Sequence, residues 1–228
     1  MQTIAERLKS AHERIEQALA GAHRPSNSVQ LLAVSKTKPV SDLLIAYEAG
    51  QRLFGENYVS EGVEKIQALK ALTGIQWHMI GPLQSNKTRA VAEHFDWVQS
   101  VDRLKIARRL NDQRPEGMAP LNVCIQVNID DEDSKSGVAP EEIDTLIDAI
   151  TGFEKLTLRG LMAIPKADPT PEQQQQSLTA LHDLFKRYHT KLSNFDTLSV
   201  GMSADMEAAI THGSTMVRVG SAIFGARD

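Results

Sequence analysis

Cysteine is nearly absent: Cys124 is the one thiol in 228 residues. A lone cysteine forms no internal disulfide and no cysteine-based metal cluster. It fits a reducing, cytoplasmic compartment. Long apolar runs are missing as well. No stretch reaches the roughly 18 residues that a transmembrane helix needs, so no membrane association is expected. Glu6, Arg7, Lys9, Glu13, Arg14 and Glu16 interrupt any secretory core near the N-terminus. Nor is there an excess of positive charge. Lys and Arg total 25 against 29 Asp and Glu, a net charge of −4. A protein built to neutralise a nucleic-acid backbone is therefore not expected. A small phosphorylated ligand, which needs one local site, stays compatible. The chain also lacks a dinucleotide glycine fingerprint, a zinc-ligand spacing and a serine-nucleophile elbow. It shows no repeat at a solenoid period.

What is present is a regular alternation. Ile4, Leu8, Ala11, Ile15 and Leu19 recur at three- and four-residue steps, the apolar face of an amphipathic helix. Gly21 and Pro25 suit its end. Short apolar runs follow at residues 29–35, 53–56, 76–80, 97–101, 122–127, 156–162, 197–201 and 216–219. Helical stretches separate them, at residues 41–50, 61–71, 103–111, 140–150, 171–192 and 205–212. Strand–helix alternation implies crossover units and a parallel sheet. Eight strands in this length point to α/β architecture: a single (β/α)8 TIM-type barrel with an extra N-terminal helix, forming one domain over residues 1–228. That helix is placed to cover the flank a terminal helix would otherwise cover.

A barrel puts its chemistry at the C-terminal strand ends. Those ends carry Lys36, Glu56 and Asn57, His78, Asn128, Met162, Met202 and Ser203, and residues 218–221. Leu32, Val34 and Lys36 share one strand face. A lysine desolvated at the rim loses its proton near neutral pH and can form a Schiff base; the same position also suits a lysine that merely snorkels. Lys38, just before Pro39, reads as solvent-facing. Ser203 reads as the N-cap of the helix that follows it. Gly220 and Ser221 open the next helix start, so two helix N-termini could receive a phosphate; ordinary capping would look the same. Arg218 either reaches into the barrel, where it needs an acceptor, or points out towards a helix carboxylate. His78 reads as a structural histidine or a base, Asn86 and Lys87 as rim residues, and Cys124 as inert core.

Taken together the segments are far more specific. Ala33-Val34-Ser35-Lys36-Thr37-Lys38-Pro39 leads, followed by Phe54-Gly55-Glu56-Asn57-Tyr58 and His78-Met79-Ile80-Gly81-Pro82-Leu83-Gln84-Ser85-Asn86-Lys87. Arg159-Gly160-Leu161-Met162, Ser199-Val200-Gly201-Met202-Ser203-Ala204-Asp205-Met206 and residues 217–225 complete the set. Over essentially its whole length the chain resembles the pyridoxal-phosphate homeostasis protein family, related to the N-terminal domain of alanine racemase. The resemblance implies that Lys36 holds pyridoxal 5′-phosphate (PLP) covalently through a Schiff base. It implies that Ser203, Gly220 and Ser221 hold the phosphate, that Arg218 faces the pyridine nitrogen, and that Asn57 lies close to the cofactor.

Departures from the racemase pattern bear on activity. Thr37-Lys38-Pro39-Val40 stands where racemases have a tyrosine soon after the lysine. The sixth strand ends Met162-Ala163-Ile164-Pro165, where they have a histidine beside the ring. No counterpart of their second, all-β domain is expected, and with it no opposite-face base. The implied function is to buffer or deliver PLP in vitamin B6 homeostasis, with PLP-dependent apoenzymes as recipients and without robust catalysis. A racemase of narrow or weak activity is the alternative. A Schiff-base aldolase and a protein-interaction module stand further behind. Lys135 is a second landing site in this reading, no nucleic-acid or membrane partner is expected, and the default is a monomer.

Overall fold

The computed structural model describes residues 2–130 and 136–225. Eight parallel strands pair in chain order and close into a barrel. They are β1 (Gln30–Val34), β2 (Leu53–Glu56), β3 (Gln76–Met79), β4 (Trp97–Val101), β5 (Leu121–Val127), β6 (Leu156–Ala163), β7 (Thr197–Ser199) and β8 (Met216–Val219). Closure comes from β1 on β8, in register from Gln30 opposite Met216 to Ala33 opposite Val219. The TIM-type barrel expected from the alternation is the observed architecture.

Helices lie between the strands: α1 (Ile4–Gly21), α2 (Val40–Glu48), α3 (Val59–Ala68), α4 (Thr88–His94), α5 (Leu104–Gln113), α6 (Ile143–Thr151), α7 (Pro171–His189), α8 (Met206–Thr211) and α9 (Ser221–Phe224). The first of them starts on a capping box, with Thr3 and Glu6 satisfying each other's backbone N–H. Its apolar face buries Leu8, Ala11, Ile15 and Leu19. Each of the larger three stabilises the fold by roughly 1.5–3 kcal/mol. The face packs on α2, α8 and α9, so α1 covers the flank where the barrel closes.

Period-two alternation divides the strand residues between two cores. Leu31 and Ala33 join the main core between sheet and helices. Leu32 points inward, with Ile80, Met216 and partly buried Val34. Trp97, Cys124 and Met162 fill the opposite side of the interior. Gly160 (φ +154°) lets β6 approach β7 closely, because a Cβ there would lie 1.7 Å from the Thr197 carbonyl oxygen.

Candidate functional site

A cavity of about 340 Å³ opens at the C-terminal mouth of the barrel, within the usual range for small-ligand pockets. Its wall brings together Lys36, Asn57, Ser203, Arg218, Gly220 and Ser221 from four strand ends distant in sequence. Val34, Ile80 and Ile164 supply apolar surface between them. Val34 was expected on the Lys36 strand face; Ile80 and Ile164, though the strand-end rule reaches both, were not among the expected site residues.

Lys36 sits two residues past the end of β1 and is half-buried. Thr37 after it adopts φ +65°. A β-branched residue in that left-handed region costs on the order of 1–3 kcal/mol and persists only where its surroundings enforce it. The Lys38 N–H donates to the Ser35 carbonyl at 3.1 Å, folding the segment back over the mouth. Lys38 therefore lines the cavity and is half-buried. That corrects its solvent-facing assignment: the tight turn that closes at Lys38, not the strand period, sets where its side chain goes.

Asn57 is placed by Gly81. A Cβ at Gly81 would lie 2.2 Å from the Asn57 carbonyl oxygen, so only glycine lets the ends of β2 and β3 meet so closely. The Asn57 Oδ1 atom is buried with no hydrogen-bond partner among the described residues.

Arg218 points into the barrel. Its Nη1 donates to the Ser199 carbonyl and hydroxyl at 2.7 and 2.8 Å, and Nη2 to the Ala163 carbonyl at 2.8 Å. The outward alternative, pairing with a helix carboxylate, is not what the structure shows. Burial pulls the guanidinium down to about 10, still charged at neutral pH. Ser199 Oγ passes the chain on to Gln99 Oε1 at 2.7 Å, and Gln99 Nε2 lies 3.0 Å from His78 Nδ1. Donation runs in one direction, Arg218 to Ser199 to Gln99 to His78, which leaves the His78 proton on Nε2. His78 is fully buried and stacked on Trp97 at 4.9 Å. Burial depresses its pKa to about 3, so it is neutral and structural, and not a base facing the cavity. The interior chain through Gln99 and Ser199 escaped the sequence reasoning. Its signal was there: polar residues at inward positions of β4 and β7.

Ser203 does not cap a helix. The helix starts three residues later, at Met206, and Asp205 is the residue before it. Asp205 Oδ1 accepts from the Met202 N–H at 2.7 Å, and the Asp205 N–H donates to the Met202 carbonyl. That turn precedes the helix, which has no side-chain cap, and leaves Ser203 half-buried at its bend. Across from it, Gly220 passes the β1 backbone so closely that a Cβ would lie 3.2 Å from the Val34 carbonyl oxygen. Ser221 begins α9; the Ile223 and Phe224 N–H groups donate to the Gly220 carbonyl at 2.9 Å, which leaves the Ser221 and Ala222 N–H groups without an intrahelical acceptor. Neither serine hydroxyl bonds to another described residue.

The remaining candidates fall elsewhere. Asn86 and Lys87 are exposed, outside the cavity lining. Cys124 is buried against Trp97 and Met162, and burial pushes its thiol pKa far up, so it is an inert core group. Lys135 lies outside the described residues.

The model of the alanine racemase N-terminal domain matches residues 8–228. The pyridoxal phosphate homeostasis protein of Pasteurella multocida is 56% identical over 230 residues, covering 99% of this chain and 98% of that one. The protein of the same name from Escherichia coli K12 is 54% identical, covering 100% and 98%. Among solved structures, PipY of Synechococcus elongatus with PLP bound is similar at a TM-score of 0.83 and 35% identity, covering 98% of this chain and all of that one. Alanine racemase of Corynebacterium glutamicum, at 15% identity and a TM-score of 0.73, shares the fold over 98% of this chain and 61% of its own length. The chain belongs to the alanine racemase N-terminal domain family and, within it, to the pyridoxal phosphate homeostasis proteins.

Proposed function

We propose that the protein binds PLP at the C-terminal mouth of its barrel and buffers or delivers it to PLP-dependent apoenzymes. One observation carries this reading. The cavity wall carries a lysine together with polar groups that have no partner among the described residues: the Asn57 Oδ1 atom, the Ser203 and Ser221 hydroxyls and the Ser221 N–H at the start of α9. Hydroxyl and backbone donors for a phosphate, one acceptor and an amine fit a compact molecule bearing an aldehyde at one end and a phosphate at the other. When bound, PLP supplies an aldehyde that condenses reversibly with amines, and an electron-withdrawing ring.

Lys36 is the residue that exchanges. As a neutral amine its Nζ would hold PLP covalently through the aldehyde carbon, with the aldehyde oxygen and two amine protons released as water. An incoming primary amine would replace Lys36 on that carbon and pass its two protons to the lysine Nζ, which restores the Lys36 amine. Ser203, Gly220 and Ser221 would keep the phosphate in place meanwhile through hydroxyl and backbone N–H donors. The Arg218 cation disfavours a further positive charge on the cavity wall, which weakens the ring as an electron sink. The titratable groups lining the cavity among the described residues are Lys36, Lys38 and Arg218. Racemisation needs a proton acceptor on each face of the substrate carbon, so we expect binding and exchange to dominate over turnover. We further place the protein in the cytoplasm, as a monomer.

The test is to load the protein with PLP, reduce with borohydride and map the adduct by peptide. We expect it on Lys36. An adduct mainly on Lys38, or on no lysine, overturns the assignment. Lys36-dependent racemisation of alanine at about 1 per second or faster would replace the carrier reading with the racemase alternative.

A further inference from the structure

Beneath the cavity, and outside its lining, lies a buried cation that the proposed chemistry does not use. Lys65 of α3 is 4% exposed. Its ammonium donates to the Ser35 carbonyl at 2.6 Å, Glu56 Oε1 at 2.9 Å and Glu61 Oε1 at 2.6 Å. All three of its protons are thereby used. Two of these acceptors act directly on the neighbours of Lys36. Ser35, before it, is gripped twice, through its carbonyl by Lys65 and through its hydroxyl, which donates to Glu56 Oε1 at 2.5 Å. Thr37, after it, donates its N–H to Glu61 Oε1 at 2.6 Å. The strained φ of Thr37 is thus enforced by a carboxylate that Lys65 itself holds.

We infer that Lys65, Glu61 and Glu56 form a clamp that positions Lys36, fixing the peptide units on both sides of it and the local charge around its amine. A lysine has four rotatable side-chain bonds, so a fixed backbone is what aims its Nζ at one spot in the cavity. The charge balance matters too. Glu56 is driven towards its neutral form, chiefly by burial, so Lys65 and Glu61 are the main opposing pair. Lys38 and Arg218 also line the Lys36 cavity, but they are the same in every variant compared below. Removing the Lys65 cation leaves carboxylate charge uncompensated and favours the protonated Lys36. Removing the Glu61 charge leaves a surplus cation and favours the neutral amine. The two changes loosen the same clamp while pushing the amine's protonation in opposite directions, which a purely structural role would not do.

This inference rests on the reading that Lys36 captures PLP, and the experiment separates the two. Lys65→Met, Lys65→Arg and Glu61→Gln are compared with the parent in two assays. The first labels the ligand-free protein with acetic anhydride across a pH series and maps Lys36 by peptide. The second follows PLP capture by its visible band. The labelling midpoint of Lys36 is expected to rise in Lys65→Met and fall in Glu61→Gln, and Lys65→Arg should restore much of the parent value. Capture by Lys65→Met at neutral pH should slow by about tenfold, the scale set by misplaced reacting groups. Should Lys65→Met not fold, Glu61→Gln, altered at a partly exposed residue, carries the test by its downward midpoint shift. Folded variants whose midpoints stay together and whose capture rates stay within about twofold of the parent would overturn the clamp. A parent in which Lys36 takes no PLP overturns the binding reading instead, while the labelling midpoints still judge the clamp.

Discussion

The two mouths of the barrel are both polar, and they differ in how their polar groups are used. At the N-terminal mouth the charges are paired. Arg159 reaches both oxygens of Asp196 at 3.1 and 2.6 Å and Asn122 Oδ1 at 3.0 Å, with its guanidinium over the Trp97 ring. Asp96 accepts the Trp77 N–H. At the C-terminal mouth Asn57 Oδ1 is buried and unpartnered, and the Ser203 and Ser221 hydroxyls bond to no other described residue. Leaving a buried acceptor unpaired costs about 1–3 kcal/mol. A fold bears that cost at one end only where something else satisfies the group. Polarity alone therefore does not mark a site in this molecule; unmet hydrogen-bonding capacity on a cavity wall does, whereas the unpartnered Ser28, Glu56, His78 and His182 atoms lie outside that wall.

The sharpest way to break the comparison is to remove one basic side chain from each mouth. Lys36→Ala should abolish covalent PLP capture, read as loss of the borohydride-fixed adduct, and leave stability within about 1 kcal/mol of the parent, as at other positions outside the core. Arg159→Ala should do the reverse. It removes a two-pronged, partly exposed ion pair and a ring contact, so a stability loss of about 1–2 kcal/mol is expected in urea unfolding. PLP affinity should stay within about twofold. An Arg159→Ala protein that unfolds normally but fails to bind PLP would make the two mouths one functional unit.

Next in size are the two serines. Hydrogen bonds to a charged group contribute on the order of 1.5–3 kcal/mol. Ser203→Ala and Ser221→Ala should each weaken PLP binding roughly tenfold to a hundredfold, with smaller losses for pyridoxal, which lacks the phosphate. Titration with both ligands decides the matter. Equal losses would mean that these loops shape the mouth and do not hold an anion.

Much of this organisation was legible in the sequence, for identifiable reasons. Strand positions follow from period-two runs bounded by turn residues, and β2, β4 and β8 coincide with the expected spans. The helix face Leu8, Ala11, Ile15, Leu19 carried its own burial. Lys36 was found because a strand's period extends past its last hydrogen bond. Where the period stops, so does the inference. Lys38 was misplaced by a four-residue turn, and Ser203 by a turn that Asp205 stabilises. Lys65 looked like any helix lysine, since nothing in the spacing of residues 59–68 reveals that it ends against Ser35, thirty residues earlier in the chain. Gln99 and Ser199 are a hundred residues apart and meet only because the barrel closes. Local periods encode which way a side chain faces, whereas the partner it meets is set by closure.

The layer between the mouths offers the finest test, because His78 belongs to neither. It is fully buried, its Nδ1 faces Gln99 and its Nε2 has no partner among the described residues. Desolvation is the main cause that lowers its pKa from 6.5 to about 3, with the Arg159 cation adding to it. The folded protein therefore keeps His78 neutral where the unfolded chain protonates it. Above pH 6.5 both states are neutral at this residue and it contributes no pH dependence. As pH falls below 6.5 the unfolded state takes up a proton that the native state refuses, and stability drops. The slope is about 1.4 kcal/mol per pH unit, persisting towards pH 3. His78→Asn keeps an acceptor, Oδ1, for the Gln99 amide but cannot titrate. The variant will start from a lower stability, since it vacates ring volume against Trp97. Its stability should nonetheless fall less steeply between pH 6.5 and 4.5, by about that slope, in urea unfolding at each pH. His12 also has a pKa lowered chiefly by burial, but it is present in both proteins and cancels in the difference. Parallel pH profiles would show that water or a proton reaches His78 in the native state, and the closed layer separating a structural mouth from a functional one would not exist.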